Sequence, residues 1–337
     1  MAFLTIENLE YRWCDALVLP CLSLTIGAGQ FACLLGPSGS GKTTLLRLIA
    51  GLEQPRSGRI LLDGQDLANV PPHERQIGMV FQEAALFPHL NVAENIGFAL
   101  PKAQRRKRVA DLLEHIGLSD KAKAMPHELS GGQQHRVALA RALAPAPKLL
   151  LLDEAFAHLD PERRMRLREE TKALAQREGV TCLMVTHDAE EAMQTGDVLL
   201  LIDELGRLRQ QGTPHDVFHH PADQYAARAL GEINLLDAVS DGVRVTSALG
   251  EIETQSNLSG KVLLGVRPQG IQICQSEQAA RAVIDRVNCT GPEDVLLLKL
   301  QDGQSLKARI AHTHHWQEGD EVFLCLRADY TSVFARV

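Results

Sequence analysis

The chain has 337 residues, 45% hydrophobic and 23% charged, which is ordinary for a folded protein and long enough for two or three domains. A net charge of −7 gives no overall attraction for nucleic acid. No stretch reaches the roughly 18 consecutive apolar residues that a spanning helix needs, so a role at a membrane would require another chain to cross it.

In chain order, "MAFLTIENLEYRW" reads as an amphipathic strand and lacks the basic start and apolar run of a signal peptide. "GQFACLLG" (29–36) reads as a buried strand, followed by a Gly-rich turn and the helix "KTTLLRLIAGL". A strand near "IGMVFQ" ends at Gln82, and residues 88–147 read as a helical insert. Within that insert "RRKR" (105–108) reads as a solvated helix face. "KLLLLDEA" (148–155) and "VTCLMVTH" (180–187) are continuous apolar runs that end in polar residues. Such runs suit a parallel sheet covered on both faces, with ligands at the carboxyl ends of its strands. This α/β unit is expected to span 1–235. Composition then shifts to short strand patterns with turn signals, among them Asp302-Gly303, so a small all-β domain is expected over 236–337. "HTHH" (His312, His314, His315) fits no strong metal-ligand spacing and reads as a solvated loop. Cys14, Cys21, Cys33, Cys182, Cys274, Cys289 and Cys325 show no C-x-x-C pair and no even framework, so they are expected as small apolar residues of a reducing cytosol.

The chemistry is concentrated at four strand ends and one helix start. "GPSGSGKT" has the G-x-x-x-x-G-K-[ST] spacing in a strand–loop–helix context. Gly36, Pro37, Ser38, Gly39, Ser40 and Gly41 would wrap phosphates with backbone N–H groups. Lys42 would add charge, Thr43 a hydroxyl for Mg²⁺, and Thr44, next in the helix, would join them in binding the nucleotide. Asp153 ends an apolar strand, placed to hold Mg²⁺, and Glu154 follows as a general base or a group that orients water. Gln82 and His187 end two further strands of the same sheet edge. A second cradle stands at "LSGGQ", where Ser130 is a good N-cap and Gly131–Gly132 open a helix that has no lysine of its own.

Taken in order, the phosphate loop, Gln82, "LSGGQ" (129–133), "LLLLDEA", "HLD" and His187 resemble an ATP-binding cassette (ABC) ATPase. "GVRPQGIQI" (265–273) resembles the small OB-like regulatory (TOBE) domain that follows the cassette in many bacterial importer ATPases. The resemblance implies a P-loop NTPase cassette with a helical subdomain over about 88–147. It further implies ATP with Mg²⁺ held by Thr43, Gln82 and Asp153, and a homodimer. Leu129, Ser130, Gly131, Gly132 and Gln133 of one subunit would close over ATP on the phosphate loop of the other. Trp13 would stack on adenine, with Tyr11 as the alternative. Gln82 would sense the metal and the attacking water, Glu154 would polarise that water, His187 would hold the γ-phosphate, and Asp160 would lie in the dimer loop. "EAALFPHLNVAENI" resembles the surface that receives a permease helix, with a solute-binding protein as an indirect partner. The expected place is the cytoplasmic face of the bacterial inner membrane. Two positions depart from the family pattern: Ala155 stands where proline is usual, and His158 where a small residue is usual. A nucleic-acid clamp is the rival reading, disfavoured because no second cassette, long coiled coil or zinc spacing is present. Among importers, the Phe of "DEAF" and the look of "PHELSGGQQHRVALARALAP" lean toward ferric iron over polyamine, sulfate, molybdate or sugar.

Overall fold

Alternation shapes the start of the chain. In β1 (Ala2–Trp13), Leu4 and Ile6 are buried; Asn8 then takes a positive φ of 49° where the register slips, and the bulge returns Leu9 and Tyr11 to the buried face. The computed structural model describes residues 2–14, 16–81, 83–156, 160–253, 257–276, 279–312 and 314–336, with Pro161 as backbone alone. The chain divides into two units, Met1–Pro214 and His215–Val337.

After β1 the first unit continues with β2 (Ala16–Gly27), β3 (Phe31–Leu35), α1 (Lys42–Ala50), β4 (Ser57–Leu62), β5 (Gln65–Asp66) and β6 (Ile77–Val80). It then runs through α2 (Val92–Ile96), α3 (Lys102–His115), α4 (Gly131–Leu143), β7 (Leu149–Asp153) and α5 (Pro161–Arg177). The unit closes with β8 (Thr181–Thr186), α6 (Ala189–Thr195), β9 (Val198–Ile202) and β10 (Leu208–Gly212). Strands β2-β1-β4-β5 form an antiparallel sheet, and β10-β9-β3-β8-β7-β6 form a second sheet, parallel except for β10. Every residue of β3, β7 and β8 is buried, which is why their sequences are unbroken apolar runs. Leu45, Leu46, Leu48 and Ile49 of α1 share one core with Leu4 and Ile6 of the first sheet and Leu151 and Leu183 of the second. The helix that opens the phosphate loop is thus packed between two sheets.

Its far end is held by an arginine. Arg75 Nη1 donates to Leu48 O at 2.9 Å and Ile49 O at 2.8 Å, while Nε and Nη2 bind Val70 O and Leu67 O. The first two bonds cap the last turn of α1, where Leu48 O also accepts from Gly51 N–H at 3.1 Å. Gly51 is needed beside it, because a Cβ there would sit 2.5 Å from Arg75 Cζ.

Within 88–147 lie α2, α3 and α4. Here the basic run departs from a solvated face. Arg106 and Lys107 are exposed, but Arg108 is half-buried, forks onto Glu178 at 2.6 and 3.3 Å, and donates to Leu143 O at the end of α4. The first and last members, Arg105 and Arg108, face inward because their spacing of three carries them onto the same side of the helix as Val109 and Leu112.

The second unit carries α7 (Pro214–His219), α8 (Gln224–Ala229), β11 (Asn234–Asp241), β12 (Arg244–Ser247), β13 (Gly250–Glu253), β14 (Ser259–Val266) and β15 (Ile271–Cys274). Then follow β16 (Ala280–Cys289), β17 (Glu293–Leu300), β18 (Ser305–Ala311), β19 (Glu321–Leu326) and β20 (Thr331–Ala335). Two antiparallel five-stranded sheets, β13-β12-β11-β14-β20 and β15-β19-β16-β17-β18, enclose one core that includes Leu236, Leu264, Ile284, Leu298 and Leu324. Asp302-Gly303 turns β17 into β18, with Gly303 at φ 87° and Asp302 accepting from Gln304 N–H at 2.9 Å.

The two units divide between Pro214 and His215, at the start of α7, where the sequence reading expected 235/236. Arg267 supplies the physical reason: it is 3% exposed, donates to Ala227 O at 2.7 Å, Gly231 O at 3.2 Å and Phe218 O at 3.3 Å, and lies over the Phe218 ring. The stretch 218–231 is therefore bound to the β domain. The cysteine expectation is also corrected. Cys274 and Cys325 form a disulfide with Cα atoms 6.1 Å apart, because β15 and β19 pair with Gln272 opposite Cys325 and bring the two thiols together across the ladder. Cys33 and Cys182 are buried as small apolar residues, whereas Cys14, Cys21 and Cys289 are exposed.

Candidate active site

Sheet register brings the site together. Leu35 pairs with Thr186, and Asp153 with Val185, so the ends of β3, β7 and β8 emerge side by side. Gly36 N–H donates to Thr186 O at 3.4 Å and Glu154 N–H to Val185 O at 3.2 Å, extending the ladder just past the strands. Glycine is required at 36, where a Cβ would lie 2.6 Å from Ile202 Cγ1. Gly39 and Gly41 take φ of 84° and 89°, the left-handed region open to glycine. Gly41 is the N-cap of α1 and offers no side chain to the first-turn N–H groups, which remain free for an anion.

Lys42 is 4% exposed, and its Nζ donates to Gly36 O and Pro37 O at 2.8 Å each. Burial lowers its pKa, with the charges of Glu154 and Asp153 acting in the opposite sense. Ser40 Oγ is buried without a hydrogen-bond partner among the described residues, while Ser38 is exposed and Thr44 half-buried. Thr43 Oγ1 donates to Asp153 Oδ1 at 2.9 Å. Burial raises the pKa of Asp153, and the Thr43 bond counteracts it. Glu154 holds an unusual φ of 44°, and its Oε1 lies 3.3 Å from His187 Nδ1. A left-handed non-glycine residue costs of order 1–3 kcal/mol and persists only where its surroundings hold it. Here Ala155 and Phe156, 6% and 1% exposed, anchor the chain immediately after it.

The second cradle is built differently. Ser130 caps α4, accepting from Gln133 N–H at 3.4 Å while Ser130 N–H donates to Gln133 Oε1 at 3.0 Å. Leu129 is buried beneath it. Gly131 and Gly132 need glycine neither for φ nor for packing, since a Cβ on either meets nothing within 4 Å. Among the described residues, no hydrogen bond or ion pair joins 129–133 to 36–44.

Trp13 is 60% exposed at the end of β1, paired with Ala16; Val18, two residues further on, would touch a Cβ on Gly41. The hairpin end that carries Trp13 therefore lies beside the phosphate loop. Tyr11 is buried and donates to Glu53 Oε2 at 3.1 Å. Asp160 is the exposed N-cap of α5, accepting from Arg163 N–H at 3.1 Å. Gln82 and His158 lie outside the described residues.

Sequence reasoning missed Arg141. From α4 it donates to Ala85 O at 2.8 Å and Ala84 O at 3.2 Å and lies over the Phe87 ring. It ties the helix behind "LSGGQ" to the segment after Gln82, a link across more than fifty positions that no local pattern carries. In that segment Asn95, fully buried, binds Phe87 O, Leu90 O and Asn91 O, leaving Phe98 exposed beside Phe87.

Known proteins resemble this chain in sequence and fold. The family model described as ABC transporter matches residues 19–157, and that of the TOBE domain residues 264–334. The putrescine transport ATP-binding protein PotG of Escherichia coli K12 is 39% identical over 97% of this chain and 93% of its own. The chain belongs to the ABC transporter ATP-binding subunits, of the importer type with a TOBE domain. The Fe(3+) ions import ATP-binding protein FbpC of Brucella abortus is 41% identical over 80% of this chain and 79% of its own. Among solved structures, cbiO1 from Clostridium perfringens, part of the ABC transporter complex cbiONQ, is similar with a TM-score of 0.61 and 32% identity over 66% of this chain and 92% of that one. As an ABC importer subunit the chain binds ATP and is an ATPase coupled to import. No helix among the described residues is long and apolar enough to cross a membrane.

Proposed function

We propose that this ABC subunit hydrolyses Mg²⁺·ATP at a site shared between two copies of the chain and drives the import of a polyamine through a separate permease. The contact of Glu154 with His187, beside the Thr43–Asp153 bond, carries the reading. The free amides at the start of α1, the unpartnered Ser40 hydroxyl and Lys42 suit phosphates. On nucleotide binding Lys42 exchanges its two carbonyl partners for phosphate oxygens. The hard oxygens of Thr43 and Asp153, with Gln82 by resemblance, suit Mg²⁺. An Mg²⁺ ion held by these residues would supply neutralisation of the phosphate charge. Glu154 accepts a hydrogen bond from the attacking water, and His187 holds both Glu154 and the γ-phosphate in place. Trp13 stacks on the base.

The openness around Gly131 and Gly132 supports their closing over the nucleotide of a partner subunit, with Ser130 donating to the γ-phosphate and Asp160 at the dimer seam. The segment 83–96, tied to α4 by Arg141, receives the permease and passes its position to α4, the helix behind "LSGGQ" (129–133), the signature of the family. A solute-binding protein acts on the far side, and the subunit sits on the cytoplasmic face of the membrane.

The polyamine reading rests on the relative that aligns along nearly the whole chain, including the second unit. The lean toward ferric iron rests on "DEAF" and the signature region, which belong to the ATP machinery and never meet the solute. Uptake of labelled putrescine, spermidine and ferric iron in cells lacking the gene tests both parts. Wild type should restore polyamine uptake; Glu154→Gln should bind ATP yet restore none, its turnover falling about 10²-fold or more. Restoration of iron alone would replace the solute assignment, and a Glu154→Gln variant with wild-type turnover would remove Glu154 from the mechanism.

A further inference from the structure

Three ligand-type side chains meet in the second unit, outside the candidate active site. Cys289 ends β16 and pairs across the ladder with Asp294 of β17, while His312 follows the last residue of β18, the next strand of the meander. One ligand atom from each lies within 4.8 Å of the others. His312 Nδ1 stands 2.9 and 3.0 Å from the two Asp294 oxygens. Their positions are set by backbone bonds. Thr290 N–H and its hydroxyl both donate to Glu293 O, at 2.9 and 2.8 Å, and His312 N–H donates to Pro292 O at 3.1 Å.

The Asp294 carboxylate is 2% exposed, and its ion-pair partner among the described residues is His312. A buried carboxylate needs positive charge close by. Cys289 and His312 are exposed, so an ion can enter from solvent. We propose that Cys289, Asp294 and His312 bind a divalent transition-metal ion, with zinc(II) the best fit. A thiolate and an imidazole disfavour Mg²⁺ and Ca²⁺, whereas sulfur, nitrogen and oxygen together suit zinc. Three protein ligands leave a fourth position for water or for His315, whose ring lies 5.8 Å from that of His312. "HTHH" alone could not reveal the site, because the other two ligands come from β16 and β17.

The test uses the full chain, stripped of metal and free of nucleotide, titrated with Zn²⁺ by calorimetry and with Co²⁺ by absorption. A single saturable site is expected, with a thiolate-to-cobalt charge-transfer band. Cys289→Ser should abolish the band, and His312→Ala should weaken binding by about tenfold or more. Cys289 is exposed, so Cys289→Ser leaves the fold intact. His312→Ala strips the buried Asp294 carboxylate of its partner, so circular dichroism checks that this variant is folded before its binding is read. The variant Cys14→Ser/Cys21→Ser, lacking two other exposed thiols, should leave the band intact. Absence of saturable binding would overturn the proposal. So would a band that survives Cys289→Ser or disappears with Cys14 and Cys21.

Discussion

At the scale of single residues, His135 shows how a buried side chain can set a pH limit. It lies in α4 directly behind the signature glycines, 5% exposed, its ring 5.3 Å from that of Phe156, which follows the Glu154–Ala155 pair. Its Nε2 has no hydrogen-bond partner among the described residues. Burial pushes its pKa down to about 4, so the folded protein holds the ring neutral. An unfolded chain, with an ordinary histidine pKa of about 6.5, takes up the proton more readily. Stability is therefore complete above about pH 6.5 and is lost as pH falls toward 4, by roughly 2 kcal/mol between pH 7 and 5. Urea midpoints at the two pH values should show this loss in wild type and a smaller one in His135→Leu. Equal losses in both would place the acid sensitivity elsewhere. Sequence reading places this histidine in the signature helix, but its environment depends on Phe156, twenty-one positions away, and so is not readable locally.

At the scale of elements, two arginines do the work that the strand pattern does not show. Arg75 closes the end of α1, and Arg267 binds 218–231 to the β domain. Burial draws the Arg267 pKa down to about 10, yet the group remains charged near neutrality, and its fork suits several carbonyls at once. Arg267→Met keeps most of the volume but leaves the carbonyls of Phe218, Ala227 and Gly231 unpaired. The second unit should lose roughly 3 kcal/mol in denaturant unfolding, with Arg267→Lys intermediate. A Met variant as stable as wild type would make these bonds dispensable. Continuous apolar runs ending in polar residues made β3, β7 and β8 legible, because burial on both faces demands that composition. The glycine loop was legible because φ at Gly39 and Gly41 and the close approach of Ile202 at Gly36 admit little else. Contacts that span the chain were not. The Cys274–Cys325 bond joins residues 51 positions apart, and the inward turn of Arg108 depends on Glu178, seventy positions on.

At the scale of the whole molecule, the opposite character of the two cradles supports the proposal of a second copy. The phosphate loop has every glycine accounted for inside the chain, whereas Gly131 and Gly132 face open space. If each ATP lies between the phosphate loop of one subunit and the signature of another, damage to the two cradles can be placed on different chains. Lys42→Ala removes the lysine from the first cradle, and Ser130→Arg fills the second; each variant alone should be inactive as a homodimer. In a mixture, every heterodimer pairs the intact phosphate loop of the Ser130→Arg chain with the intact signature of the Lys42→Ala chain, alongside one doubly damaged site. With equal amounts and random pairing, half the dimers are mixed and one of their two sites is whole, so ATPase activity should recover to about a quarter of wild type. A ceiling lower than that would measure how far one dead site holds back its neighbour. Complete absence of recovery in dimers shown to be mixed would mean that each chain completes its own site, and the open glycines would need another explanation.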